Sequence, residues 1–347
     1  MLSDAGDMTN HTHQPPVIRA QGLTKHFTRG KKTVEAVRGL DLEIHQGELV
    51  AFLGPNGAGK STTLRMLTTL IPPTAGTAEV AGHDVVRAQG AVRRSIGYVG
   101  QGNAAAYIQR GRDELMSQAR AHGIPRPAAK ARIDELLSAF DLQEYADRTV
   151  QTLSGGQRRR LDIAIGLLNR PEVLFLDEPS TGLDPQNRAN LQEQIRRLHE
   201  DGTTIVLTTH YLEEADALAG RVIVIDHGVM IADDTAPRLK ERLGDLVLLG
   251  FSTEADATAA AARAESALSG PTVIDRAGTQ VSIRTPRGAD SAPALAIDLA
   301  AHGTPAIRME VRPPTLDDVF LDLTGRSLRE SAQSTTQPTT QTEGAAA

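Results

Sequence analysis

The residues Gly54-Pro55-Asn56-Gly57-Ala58-Gly59-Lys60-Ser61, with Thr62 beside them, fit the phosphate-loop pattern. They follow a strand-like apolar run, Glu48–Leu53, and open a helical stretch predicted through Leu70. Such a loop needs glycines so that backbone N–H groups can converge on phosphate oxygens at a helix start. Lys60 would reach the β- and γ-phosphates of a nucleotide, and the Ser61 hydroxyl could ligate Mg²⁺. Further on, the apolar run Val173–Leu176 ends in Asp177-Glu178. Asp177 is placed to hold the Mg²⁺ shell, and Glu178 to polarise a water for in-line attack on the γ-phosphate. Phosphoryl transfer to a substrate hydroxyl is the competing chemistry for this pair of motifs.

A third motif, Leu153-Ser154-Gly155-Gly156-Gln157, lies shortly before the Asp-Glu strand end. Ser154 is a good helix N-cap, and Arg158–Leu168 continues as a helix with Leu161, Ile165 and Leu168 on one face, so a second set of backbone N–H groups points at an anion. Together these residues resemble the ATP-binding cassette family of transport ATPases across most of Val17–Asp234. The resemblance favours hydrolysis over transfer. It implies that Ser154, Gly155 and Gly156, with Gln157, serve the γ-phosphate of an ATP held by the phosphate loop of a second subunit. It also implies a loop glutamine near Mg²⁺ and water at Gln101, a cross-interface contact at Asp184, a γ-phosphate hydrogen bond from His210 and adenine stacking on Phe27. Read singly, these four are a surface amide, a helix cap, a loop imidazole and a core aromatic.

The elements that must position these groups alternate. Short β-rich runs (Val17–Ala20, Leu40–Ile44, Glu48–Leu53, Val173–Leu176, Thr204–Thr208, Val222–Ile225, Val229–Ala232) are separated by glycines and helical stretches, which predicts an α/β core whose early and late runs look antiparallel. Helix Gln186–Asp201 would bury Leu191, Ile195 and Leu198 and stop at Gly202. Strand signals vanish between about 102 and 150, where Arg112–Ala121 and Ala128–Phe140 read as a helical insertion. Past Gly244, the order strand 246–252, helix 255–268, strand 272–275, strand 280–285, helix 292–302, strand 306–311 predicts a small ferredoxin-like domain. The expected organisation is a phosphate-loop ATPase over 17–244, with an antiparallel β subdomain and a helical subdomain, and an α+β accessory domain over 245–327. Residues 1–16 and 328–347 are polar and are expected to be disordered tails, so His11 and His13 are set aside as metal ligands.

Composition narrows the partners. The net charge of −6 with 3% aromatics argues against nucleic acid as a partner. The absence of cysteine excludes disulfides and thiolate metal sites. No apolar run approaches the roughly eighteen residues of a membrane span, and Met1–Pro16 lacks the pattern of a secretory signal, so the chain is expected to stay inside and not to cross a membrane. One phosphate loop and one signature per chain imply that two cassettes meet, a second copy being the simplest partner and a different cassette the alternative. Separate membrane-spanning permease subunits are implied, with this chain peripheral on the cytoplasmic face. Arg312-Pro313-Pro314-Thr315-Leu316-Asp317-Asp318-Val319-Phe320-Leu321-Asp322-Leu323-Thr324-Gly325 resembles the end of ATP-binding subunits of daunorubicin-resistance exporters, as do Gly100-Gln101 and Arg158-Arg159-Arg160-Leu161. Leu316, Val319, Phe320 and Leu323 would form the apolar face of a short helix there. Other transport cassettes remain alternatives, as does a cassette ATPase acting on ribosomes or DNA, although the second cassette, long coiled coil or zinc module of such proteins is not seen.

Overall fold

The computed structural model describes residues 15–30, 32–102, 105, 108–268 and 270–325, so the expected tails, apart from Pro15 and Pro16, lie outside the described residues. The chain divides into two compact units, Met1–Ile231 and Ala232–Ala347.

In the first unit, β1 (Ile18–Arg29) and β2 (Lys32–Ile44) form a long antiparallel hairpin. Strand β3 (Leu49–Leu53) leads into α1 (Lys60–Leu67), after which β4 (Ala75–Val80) and β5 (His83–Asp84) complete a four-stranded sheet in the order β2-β1-β4-β5. Helix α2 (Gln89–Ser95) and β6 (Ile96–Val99) precede two helices, α3 (Gly111–Ala121) and α4 (Arg126–Ala139). Then come α5 (Gly155–Gly166), β7 (Val173–Asp177), α6 (Pro185–Glu200), β8 (Thr204–Thr209), α7 (Leu212–Leu218), β9 (Arg221–Asp226) and β10 (Val229–Asp234). The central sheet runs β10-β9-β3-β8-β7-β6, and the pairs β9/β3, β3/β8, β8/β7 and β7/β6 are parallel. The inner strands β3, β8 and β7 are buried throughout, as strands covered on both faces must be. The late run β9 is thus part of the parallel sheet, not an antiparallel one.

One apolar core joins the two sheets around α1. Ile18, Leu40 and Ile44 from the hairpin, Phe52 from β3, Leu64 and Met66 from α1 and Phe175 from β7 all belong to it. Helix α1 ends at Leu67, short of the expected Leu70. Thr68 turns its hydroxyl back onto Leu64 O at 2.8 Å, Thr69 takes a left-handed φ of 62°, and Pro72-Pro73 follow. The hairpin is much longer than its apolar runs suggested, because its outer residues are exposed and carry no alternation.

In the second unit, α8 (Ala236–Glu241) precedes β11 (Asp245–Gly250), α9 (Glu254–Ala267), β12 (Val273–Ala277), β13 (Gln280–Thr285), α10 (Gly288–Ala301), β14 (Arg308–Arg312) and α11 (Leu316–Thr324). The sheet is antiparallel with order β12-β13-β11-β14, which is the ferredoxin-like arrangement of a βαββαβ unit. Alternation places Val247, Leu249, Val281 and Ile283 on one face, where Ala257, Ala260, Ala264, Leu295 and Leu299 of the two helices cover them. In α11, Leu316, Val319 and Phe320 are buried, but Leu323 is not: it lies in the last turn, which the left-handed Gly325 closes. A capping box starts this helix, with Thr315 Oγ1 accepting from Asp318 N at 3.2 Å and Thr315 N donating to Asp318 Oδ2 at 2.9 Å. Arg284 of β13 donates to Asp318 Oδ1 at 2.9 Å, tying α11 to the sheet. Thr315→Ala should destabilise this unit by about 1 kcal/mol and Thr315→Ser by much less, read as the shift in the denaturant midpoint of its unfolding.

Candidate functional site

The parallel strands bring four loops to one edge. Strand β3 ends in the phosphate loop, β6 in Gly100-Gln101, β7 in Asp177-Glu178 and β8 in Thr209-His210, all at the carboxyl ends where ligands of parallel sheets bind. A cavity of about 360 Å³ opens there, lined by Ala36, the loop residues Asn56–Thr62, Gln101 and Glu178.

The loop is glycine-rich for a steric reason that shows at two positions. A Cβ on Gly54 would sit 2.0 Å from Ile225 O, and one on Gly59 would sit 2.4 Å from Ala36 O, with both residues at positive φ. Lys60 is buried at the start of α1, and its Nζ donates to Gly54 O at 2.7 Å and Pro55 O at 3.0 Å. Burial pushes its pKa below the ordinary lysine value, while the charges of Glu178 and Asp177 pull it back up.

Asp177 is fully buried, and register explains its partners. It pairs with Thr208 across β7 and β8, and Oδ1 accepts from Thr208 Oγ1 and from Ser61 Oγ, each at 2.7 Å. Its Oδ2 has no hydrogen-bond partner among the described residues, and Gln101 Nε2 reaches Ser61 Oγ at 3.3 Å. A buried carboxylate oxygen left open beside a hydroxyl, with a side-chain amide at that hydroxyl, is a donor set suited to a hard cation such as Mg²⁺, so the residues fit that ion.

Glu178 takes a left-handed φ of 48°, a conformation held from outside: its N–H reaches Thr208 O at 3.1 Å and Thr208 Oγ1 at 3.0 Å. Its carboxylate accepts from Thr181 Oγ1 at 3.2 Å, and His210 Nδ1 lies 3.5 Å from Oε2, within ion-pair reach but not in a formed hydrogen bond. His210 holds the Glu178 carboxyl below its ordinary pKa; burial opposes this, and Lys60 and Thr181 assist it.

Ser154 caps α5 in a full capping box: Gln157 N donates to Ser154 Oγ at 3.2 Å and Ser154 N to Gln157 Oε1 at 2.9 Å. Asp184 caps α6 through Asn187 N at 2.9 Å and accepts a second bond from Asn187 Nδ2 at 2.5 Å. Asn187 links the two motifs, because a Cβ on Gly156 would stand 2.3 Å from Asn187 Oδ1.

The phosphate loop, Gln101, Asp177, Glu178 and His210 therefore meet in one cluster, whereas Ser154–Gln157, Asp184 and Phe27 do not line its cavity. Phe27 is 44% exposed on the hairpin, opposite Val34, with Lys25 Nζ 5.3 Å from its ring centre. Sequence reasoning gave no site role to Thr208, Asn187 or Arg159. The first shows only through strand register and the second only as the third residue of α6. The third had a signal, three arginines in a row on a helix that must be buried on one side.

A phosphate loop, an Asp-Glu strand end and a capped Ser-Gly-Gly turn on this sheet define a nucleotide-hydrolysing cassette. The protein family described as ABC transporter matches residues 37–181. The daunorubicin resistance ATP-binding protein DrrA3 of Streptomyces coeruleorubidus is 47% identical over 322 residues, covering 91% of this chain and 98% of the relative. The daunorubicin/doxorubicin resistance ATP-binding protein DrrA of Streptomyces peucetius is 42% identical over 329 residues, covering 93% and 98%. Among solved structures, a dimeric ATP-binding cassette in a post-hydrolysis state bound to ADP and Pi matches with a TM-score of 0.58 at 26% identity, covering 63% of this chain and 98% of that one. The chain belongs to the ABC transporter family, as an ATP-binding subunit with ATPase activity. Within the family it is of the daunorubicin-resistance type.

Proposed function

We propose that this chain hydrolyses MgATP as a pair of identical chains on the cytoplasmic face of the membrane, and so drives export of drugs or natural products through separate membrane-spanning subunits. The observation that carries the export reading is likeness over nine-tenths of the chain to two resistance proteins, the α+β unit included. The pairing rests on the signature turn, which is capped and preformed yet lies outside the cavity of its own phosphate loop.

ATP would supply the phosphoanhydride to be cleaved, and Mg²⁺ the positive charge that offsets its oxygens. Lys60 would exchange the Gly54 and Pro55 carbonyls for phosphate oxygens, and Ser61, Asp177 and Gln101 would hold the cation. Glu178 would orient and polarise the attacking water, with His210 beside it on the γ-phosphate side. Ser154, Gly155 and Gly156 would close over the phosphates of the partner's nucleotide with their N–H groups, and Asp184 would face the partner. Phe27 would stack on the adenine. Thr208→Val removes one of the two hydroxyls that aim Asp177 and should raise the Mg²⁺ concentration for half-maximal turnover by about tenfold. Titrating turnover with Mg²⁺ checks this.

Export itself is tested by co-expressing the chain with its membrane subunits and measuring ATP-driven accumulation of an anthracycline in inverted vesicles. Accumulation that Glu178→Gln abolishes is the expected result. A chain that copurifies with ribosomes or DNA, and gives no ATP-driven accumulation of any compound with its membrane partner, would overturn the export reading.

A further inference from the structure

Three backbone carbonyls from two strand ends meet at one buried guanidinium. Arg159, early in α5, is 8% exposed. Its Nε donates to Pro179 O at 2.8 Å, one terminal nitrogen to Gly100 O at 2.7 Å and the other to Asp177 O at 3.3 Å. Asp177 and Pro179 flank Glu178, the residue held at positive φ, and Gly100 directly precedes Gln101.

Each acceptor is a main-chain oxygen, so the arginine fixes backbone position whatever side chains the loops carry. A left-handed glutamate persists only where its surroundings over-determine it, and carbonyls gripped on both sides do that. The planar fork suits this task, since donors diverging in one plane reach three acceptors that the single ammonium of a lysine cannot serve in fixed directions. Asp177 and Pro179 are buried and Gly100 is half-buried, and an unpaired buried polar group is costly.

We infer that Arg159 is a positioning residue for hydrolysis: its guanidinium braces the Glu178 backbone from both sides and locks it to the strand end that carries Gln101. The inference rests on the assignment of Glu178 and Gln101 to the hydrolytic step and goes beyond it. Arg159 stands on the same helix as the signature turn, five residues after Ser154. A partner's nucleotide gripping that turn is therefore connected, through one turn of helix and one side chain, to both groups that handle water in this chain's own site.

The test uses the full chain with its membrane subunits and compares Arg159→Met and Arg159→Lys, alone and combined with Glu178→Gln. For Arg159→Met, kcat should fall on the order of tenfold or more, with the KM for ATP within about twofold of the parent, because the phosphate loop is untouched. Arg159→Lys should recover part of kcat. Added to Glu178→Gln, neither substitution should lower the residual rate further, since the group being positioned is already gone. An unchanged kcat, a KM that rises in step with the loss, or effects that multiply with Glu178→Gln would each overturn the inference. If Arg159→Met fails to fold by circular dichroism, Arg159→Lys carries the same comparison, with the charge kept and the fork lost. If Glu178→Gln itself leaves turnover intact, the assignment of Glu178 fails and this inference falls with it. If Glu178→Gln stops turnover while both Arg159 variants keep it, only the inference about Arg159 fails.

Discussion

Glu178→Gln should lower ATP turnover by about two orders of magnitude or more while leaving ATP binding in place. The amide keeps the volume of the carboxylate and can keep the Thr181 hydroxyl as a partner, so the backbone held by Thr208 has no reason to move. What is lost is the negative charge that would face the water. His210, with smaller help from Lys60 and Thr181, holds the carboxyl below its ordinary value against the opposing effect of burial. A depressed carboxylate contributes stability that is fully present above the unfolded value and is lost as pH falls through the folded one. Glu178 is thus ionised through the neutral range, and any acid limb it imposes on turnover lies below the ordinary carboxylate pKa. A group tuned this way is a weak proton acceptor but a permanent charge, which suits orienting and polarising water more than storing its proton. Single-turnover rates and nucleotide affinity of the variant separate the two effects.

Gly156→Ala is the second large expectation. The new methyl would stand 2.3 Å from Asn187 Oδ1 and 2.6 Å from its Cγ, closer than real Cβ atoms come. Asn187 is not free to swing away, because both its backbone N–H and its side-chain amide are held by Asp184. Relief of the clash therefore costs the bond from Asn187 Nδ2 to Asp184 Oδ2, and the two surfaces assigned to the partner chain are disturbed together. Turnover should fall by on the order of a hundredfold, as for other small displacements of positioned groups, while nucleotide binding by an isolated chain is unaffected. Asn187→Ala in the same chain makes room for the methyl and should restore part of the rate. Steady-state rates alongside ATP affinity measured below the pairing concentration read both effects.

How legible this site is in sequence depends on where each signal resides. The phosphate loop, Asp177-Glu178 and Ser154–Gln157 can be read because each combines glycine, charge and a flanking element within a few residues. Strands β3 and β7 are nearly continuous apolar runs and β8 carries Ile205-Val206-Leu207 between threonines, so the parallel core could be read as well. The hairpin of β1 and β2 could not be read at full length, because its outer halves are largely exposed and carry no alternation, and they are held by strand pairing and by bonds from Lys25 and His26 to Pro72 and Thr74. Helix α8 is only six residues long, too short for a periodic pattern, and β4 carries one buried alanine and one buried valine among exposed neighbours. Within the site, what sequence lacks is register. Nothing local places Thr208 opposite Asp177, Asn187 beneath Gly156, or the carbonyls of Gly100 and Pro179 at one arginine. The left-handed backbone of Glu178 is likewise imposed by β8 and by Arg159, and a glutamate gives no sign of it.

The central claim is that Ser154–Gly156 serve an ATP held by another copy of this chain. Light scattering on Glu178→Gln, with and without ATP, tests it most directly, because a chain that binds but does not cleave ATP should stay closed on it. The account predicts one chain without nucleotide, two with MgATP, and one again when Gly156→Asp is added, although that double variant still binds ATP. A single chain that remains single with ATP bound, or a pair that survives Gly156→Asp, would contradict it.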